Sequence, residues 1–303
     1  MTNILVSGLI NIETTLQVDA FPIPYFPVRY PFYGIHSTVS GVGYNLARAL
    51  TVLGHQVHFL SLIGQGIGAQ QTRTALAADG IAGQHVLSLL AHTAQSVILY
   101  DPNGRRQIHT DLKNIQQQAY PLEIFEQQMR TCELLALCNI NFSRPMLARA
   151  RQAGKRIASD VHTIASLEDE YNRDFMAAAH ILFMSDEALP MPPEDWARAV
   201  AGRFGTEIIV IGLGSQGALL HVPADNFLER IPAVQTRPVV NTIGAGDALF
   251  ASFLHGYATH GDPYSALQKA IVFAAYKIGE TGAAQGFLDA GNLDELYSRL
   301  QGN

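Results

Sequence analysis

VVNTIGAGDALFASFLHGY, residues Val239 to Tyr257, joins a strand-like pair of valines to the turn Gly244-Ala245-Gly246 and then to an apolar helix with Asp247 in its first turn. Small residues at a helix start leave successive backbone N–H groups facing outward. The positive end of the helix dipole adds to them, which suits an anion such as a transferring phosphate. A carboxylate in the same turn would repel a phosphate that is merely bound. It fits if Asp247 takes the proton from a hydroxyl that attacks phosphorus. It fits equally if Asp247 only caps the helix and complements its dipole.

Outward from this turn the chain keeps an α/β rhythm. Toward the N-terminus, Ile4–Ser7 reads as a short strand stopped by Gly8. Val42, Leu46, Ala49, Leu50 and Leu53 recur at helical spacing and stop at Gly54. A strand over VHFLSLI leads through GQGIG (Gly64–Gly68) to a helix ending near Gly80. That glycine cluster lacks the later glycine and the acidic residue of a dinucleotide fingerprint. Further strands are expected near 134–137, 156–159, 181–184 and 208–211, and helices near 122–130, 145–152, 194–202, 245–259 and 264–280, with ALLHV and FLERI as a hairpin-like pair. Two stretches break the rhythm. The four prolines between Phe21 and Ile35 forbid a helix or a central strand. SVILY, DPNGRR and QIH read as a hairpin with an Asn103-Gly104 turn. These observations predict one α/β domain with a mostly parallel sheet and a small β appendage from about residues 14–37 and 93–110.

Composition bounds the function. A chain of 303 residues, 48% hydrophobic and 15% charged, can bury a large core. Twenty basic against 26 acidic residues leave a net charge of −6, so no general basic field exists for nucleic acid or an anionic membrane surface. No stretch reaches the roughly 18 apolar residues of a spanning helix, and MTNILVSG lacks the basic start of a signal peptide, which predicts a soluble, cytoplasmic protein. Cys132 and Cys138 flank the buried-strand run ELLAL and read as core thiols, and the 11 histidines show no metal-site spacing.

Three segments in order resemble the ribokinase-like (PfkB) family of carbohydrate and nucleoside kinases. Asn241-Thr-Ile-Gly-Ala-Gly-Asp247 is similar to the family's Asp-Thr-x-Gly-Ala-Gly-Asp. Ser40-Gly-Val-Gly-Tyr-Asn45 is similar to its Gly-Gly-x-x-x-Asn, and Gly212-Leu-Gly214-Ser-Gln-Gly217 to its Thr-x-Gly-x-x-Gly turn. The resemblance covers residues 1–303 as a single ribokinase-like three-layer domain, with the β appendage as the substrate lid. It implies that Asp247 is the general base and that Gly244, Ala245 and Gly246 form the anion hole. Glu13, Gly41, Gly43 and Asn45 would approach the sugar, the glycines leaving room for its hydroxyls. Glu13 has the alternative reading of an exposed carboxylate after a strand. Gly212, Gly214, Gly217 and Thr242 would contact ATP, and Glu187 would hold magnesium through water. Asn241 stands where relatives carry an Asp that helps hold a monovalent cation such as K+; its amide is still a ligand but lacks the charge. Asn at this position also resembles the branch of the family that acts on phosphorylated sugars. Ser40 and Gly212 depart from the pattern, and of the family's Asn-x-x-Glu only Glu187 remains.

The resulting expectation is ATP-dependent phosphorylation of a hydroxyl on a sugar or sugar-like molecule. A nucleoside kinase and a non-catalytic sugar or nucleotide sensor are the alternatives. Arg105 and Arg106 read either as donors to a substrate phosphate or as a solvated hairpin tip. The aromatic band Phe21, Tyr25, Phe26, Tyr30, Phe32 and Tyr33 reads as a cover over the sugar or as a homodimer contact through the lid.

Overall fold

The computed structural model describes residues 2–102 and 104–302, so Asn103 of the expected turn lies outside the described residues. The chain runs β1 (Asn3–Ser7), β2 (Asn11–Gln17), β3 (Ile35–Ser40), α1 (Val42–Val52), β4 (Gln56–Ile63), α2 (Ile67–Ala78) and β5 (Val86–Ser88). It continues through β6 (Ala94–Tyr100), β7 (Arg106–Asp111), α3 (Leu122–Met129), β8 (Leu134–Leu137), α4 (Arg144–Gln152), β9 (Arg156–Thr163) and α5 (Arg173–Ala178). The last part holds β10 (Ile181–Ser185), α6 (Pro193–Phe204), β11 (Ile208–Gly212), β12 (Ala218–Val222), β13 (Phe227–Ile231), α7 (Ala245–His260), α8 (Pro263–Lys277) and α9 (Ala290–Gln301).

A nine-stranded sheet has the order β13-β12-β11-β10-β9-β8-β1-β4-β5. It is parallel from β11 to β5, and β12 and β13 add an antiparallel edge. Both faces are covered, as a parallel sheet with crossover helices requires. Alternate side chains serve alternate cores: Ile4 and Val6 join Leu46, Phe250 and Phe273 on the side of α1, α7 and α8. Leu5 joins Phe125, Leu147 and Trp196 on the side of α3, α4 and α6. All four residues of β8 are buried, and the flanking Cys132 and Cys138 are buried free thiols, as expected.

A second sheet, in the order β3-β2-β6-β7, is the appendage. Its strands reach beyond the expected bounds, to Asn11 and Ser40, because β2 and β3 pair as far as Asn11 opposite Ser40. The Pro-rich segment is an extended loop between β2 and β3, with Tyr25, Tyr30, Phe32 and Tyr33 exposed. Three further expectations need correction. Val239 and Val240 lie in a loop and are about half exposed, since Pro238 denies that segment a ladder donor. β5 and α5 escape the sequence reading because runs of three and six residues are too short to show a period. The chain closes with α9 rather than α8. Only Leu293 of α9 is fully buried, so its apolar stripe is faint, but Asp289 starts it by accepting the N–H of Asn292 at 2.9 Å. Among the described residues no helix is long and apolar enough to cross a membrane.

Candidate active site

Two adjacent helices begin in opposite ways. α8 is capped by Asp262, which accepts from the N–H groups of Tyr264 at 3.0 Å and Ser265 at 3.3 Å, with Pro263 in the first helical position. α7 has no side-chain cap: the Ala245 N–H turns back onto the Thr242 carbonyl at 3.2 Å, and the next two N–H groups, those of Gly246 and Asp247, are left for an outside acceptor. Its entry is forced by Gly244: φ is +75°, and a Cβ there would lie 2.5 Å from the carbonyl oxygen of Ala283. Gly246 is exposed, and a Cβ on it would meet nothing within 4 Å. The turn is therefore tight on the Ala283 side and open to solvent one residue before Asp247.

Asp247 does not cap α7. Its Oδ2 accepts the Nδ2 of Asn45 at 2.6 Å, across 202 residues of sequence. Asn45 is buried, and its Oδ1 lies 3.3 Å from the Ser40 hydroxyl, which also lies 3.0 Å from Glu13 Oε2. Glu13, Ser40, Asn45 and Asp247 thus form one hydrogen-bonded row across β2, β3, α1 and α7. Glu13 is only 5% exposed, which replaces the surface-carboxylate reading. Its Oε1 is buried with no hydrogen-bond partner, an acceptor that gains most from an incoming hydroxyl. Gly41 and Gly43 are buried at the start of α1. A Cβ on Gly43 would lie 2.4 Å from the carbonyl carbon of Gly8, so that space belongs to the main chain rather than to a sugar. The close approach it permits is what carries Asn45 to Asp247.

Burial raises the carboxyl of Asp247 above its ordinary range of about 3.8, and the nearby Asp160 adds to this. The hydrogen bond from Asn45 and the charges of His162 and Lys277 pull it back. Glu13 is raised for the same first reason, with Asp247 adding to it and Ser40 and Lys277 opposing.

The remaining expected residues gather at the carboxyl ends of the neighbouring strands, the usual ligand position in open α/β sheets. Gly212 pairs with Ser185, and its carbonyl accepts the Asp186 N–H at 3.1 Å, which sets Glu187 beside the turn that carries Gly214 and Gly217. The Glu187 side chain is 62% exposed and lies 3.6 Å from the Arg106 guanidinium. Arg106 also donates to Thr242, to its carbonyl at 3.2 Å and its hydroxyl at 3.1 Å. The two arginines of the hairpin therefore part company. Arg105 pairs with Asp101 and holds the Phe21 carbonyl at 3.2 Å, tying the hairpin to the Pro-rich loop, whereas Arg106 spans from the small sheet to the loop ahead of α7.

Sequence reasoning treated Ser40 as a lost glycine, and the structure makes it the bridge between Glu13 and Asn45. It passed over Asp160 and His162 at the end of β9, where Asp160 accepts the His162 N–H at 2.8 Å. It also missed Lys277, a fully buried lysine whose ammonium donates to the Ile243 carbonyl. Burial pushes that ammonium down to about 8, against the raising pull of Asp247, Glu13 and Glu280. The available cue was a lone lysine closing the apolar run AIVFAAYK.

A sequence profile described as pfkB family carbohydrate kinase matches residues 1–290. The chain belongs to the pfkB family of carbohydrate kinases. This pfkB chain is 27% identical over 289 residues to the ATP-dependent ribose-1-phosphate kinase of Halopiger xanaduensis, a match covering 93% of this chain and 94% of that protein. Its fold superposes on a microbiome-derived acarbose kinase with a TM-score of 0.87 at 25% identity, covering 98% of this chain and 99% of that one. It superposes on the ribokinase of Thermotoga maritima with a TM-score of 0.78 at 18% identity, covering 98% of this chain and 100% of that one. The architecture is therefore the ribokinase fold, with its large sheet between helices and its small second sheet.

Proposed function

We propose that this pfkB kinase transfers the γ-phosphoryl of ATP to a hydroxyl of a sugar or a phosphorylated sugar, with Asp247 as general base. The row Glu13–Ser40–Asn45–Asp247, set against an uncapped helix start, carries this reading. Glu13 Oε1, unpartnered and buried, accepts an acceptor hydroxyl. Asn45 holds the Asp247 carboxylate in place, and Asp247 draws the proton from the attacking oxygen. The open N–H groups of Gly246 and Asp247, presented by the turn of Gly244, Ala245 and Gly246, receive the charge that develops on the transferred phosphoryl. The turn of Gly212, Gly214 and Gly217, together with Thr242, would hold ATP. Magnesium, when bound, would supply charge neutralisation for the phosphates there. The exposed Glu187 carboxylate, 3.6 Å from the Arg106 guanidinium, fits as a partner for magnesium-bound water. Residues 1–303 form one domain, and the four-stranded sheet serves as its lid, with Arg106 as the contact that holds it against Thr242.

A coupled assay of ADP release over sugars, sugar phosphates and nucleosides tests this directly. Release is expected with a sugar or sugar phosphate. Release with nucleosides alone would move the acceptor to that class, and no release with any acceptor that binds would favour a sensor. In the same assay the acid limb of kcat/KM is expected to lie above pH 3.8, because burial raises Asp247 and activity is lost as falling pH protonates it. A limb at or below 3.8 contradicts the assignment of the base.

A further inference from the structure

Lys277 is a feature of the site that the reading above leaves unused. It closes α8, and its side chain is 0% exposed. A buried ammonium carries a large desolvation cost unless its surroundings repay it with matched polar groups. Its hydrogen bond goes to a main-chain carbonyl, that of Ile243, rather than to a carboxylate. The carbonyl ends of α8 lie beside it and favour a positive charge.

Ile243 immediately precedes Gly244, so the ammonium stands behind the turn that opens α7. The loop there is already held by protein groups. Asn241 is 4% exposed, its Oδ1 accepts the Ile243 N–H at 3.0 Å, and its Nδ2 donates to the Thr281 carbonyl at 2.9 Å. The Val240 N–H adds a bond to the Ile278 carbonyl at 2.9 Å. The potassium expected at Asn241 does not fit this arrangement. The amide oxygen that would ligate it is engaged, the position lacks an anionic charge, and an ammonium already occupies the neighbouring carbonyl. Potassium sites are built from such carbonyl oxygens, and an ammonium takes the same kind of partner.

Resting on the kinase reading above, we infer that Lys277 is a tethered monovalent cation for the loop Asn241–Gly246. It is a positioning residue that holds the Ile243 carbonyl and supplies positive charge behind the phosphoryl-receiving turn, so that this kinase works without potassium.

Cation dependence tests it in two readouts, thermal melting and ADP release, with potassium, ammonium or tetramethylammonium chloride at equal ionic strength. The wild type is expected to melt and turn over alike in all three. Lys277→Ala leaves room for a small cation. It is expected to lose roughly 10- to 100-fold in kcat in tetramethylammonium, with the KM for ATP little changed, and to regain both activity and melting temperature in potassium or ammonium. Lys277→Met fills the space with an apolar stem and is expected to show the loss without the rescue. Specific activation or stabilisation of the wild type by potassium would overturn the inference. So would a Lys277→Ala protein that is fully active without small cations, or one that potassium and ammonium fail to restore. If Lys277→Ala folds only in potassium or ammonium, that dependence supports the inference. A wild type that phosphorylates no acceptor removes the kinase reading instead, while melting still reports on the cation site.

Discussion

Asp247→Asn is expected to lower kcat by about 10²- to 10⁴-fold, the range for removing a general base, while the dissociation constant for ATP stays within a few-fold of the wild type. The substitution is nearly isosteric, and an amide oxygen can still accept the Asn45 Nδ2 that holds the carboxylate at 2.6 Å. The row through Ser40 to Glu13 therefore survives, and only the capacity to take a proton is lost. The uncapped start of α7, which the proposed mechanism uses to receive the phosphoryl, is main chain and is also unchanged. Single-turnover rates and calorimetric titration with ATP separate the two effects. A variant within tenfold of wild-type kcat removes Asp247 from the role of base. Weakened ATP binding at unchanged kcat makes it a ligand for the nucleotide instead.

Phe250→Ala is expected to cost about 3–5 kcal/mol of stability, a large part of the roughly 5–15 kcal/mol that holds a domain folded. Phe250 is 0% exposed and lies one turn beyond Asp247 on α7. Its ring centroid is 4.7 Å from that of Phe183 on β10, and Phe183 also meets Phe253 at 5.2 Å. This cluster clamps the helix that carries Asp247 onto the sheet. Urea unfolding should show a lower midpoint. Well below that midpoint kcat should remain within a few-fold, since Asp247 keeps its bonds to α1. A loss under 1 kcal/mol would mean that the core closes over the missing ring and that α7 is anchored elsewhere.

These two residues differ in how they could be read. Asp247 is conspicuous in the chain because a carboxylate beside a glycine turn is chemically odd, whereas Phe250 is one of many apolar residues in an apolar helix. The same contrast runs through the molecule. The strands at 134–137 and 208–211 and the helices around 194–202 and 245–259 were legible because each carries its own period or its own boundary residue. β5, α5 and α9 were not, since a short or weakly striped element is decided by what it packs against. The close packing at Gly43 was not legible either: the space a side chain would need there is occupied by Gly8, 35 positions earlier in the chain.

The amino-acid order by itself determined the alternation of strand and helix, the glycine turn that opens α7, and, through three short segments in order, the family, because each piece is written within a dozen contiguous residues. Only the tertiary structure decided that Glu13, Ser40, Asn45 and Asp247 form one row, that Arg105 and Arg106 serve different partners, and that Lys277 reaches Ile243. The physical reason is the same in each case. Such contacts join residues from separate elements, and their meeting is set by sheet order and by how closely helix and loop backbones pack, neither of which leaves a spacing in the sequence.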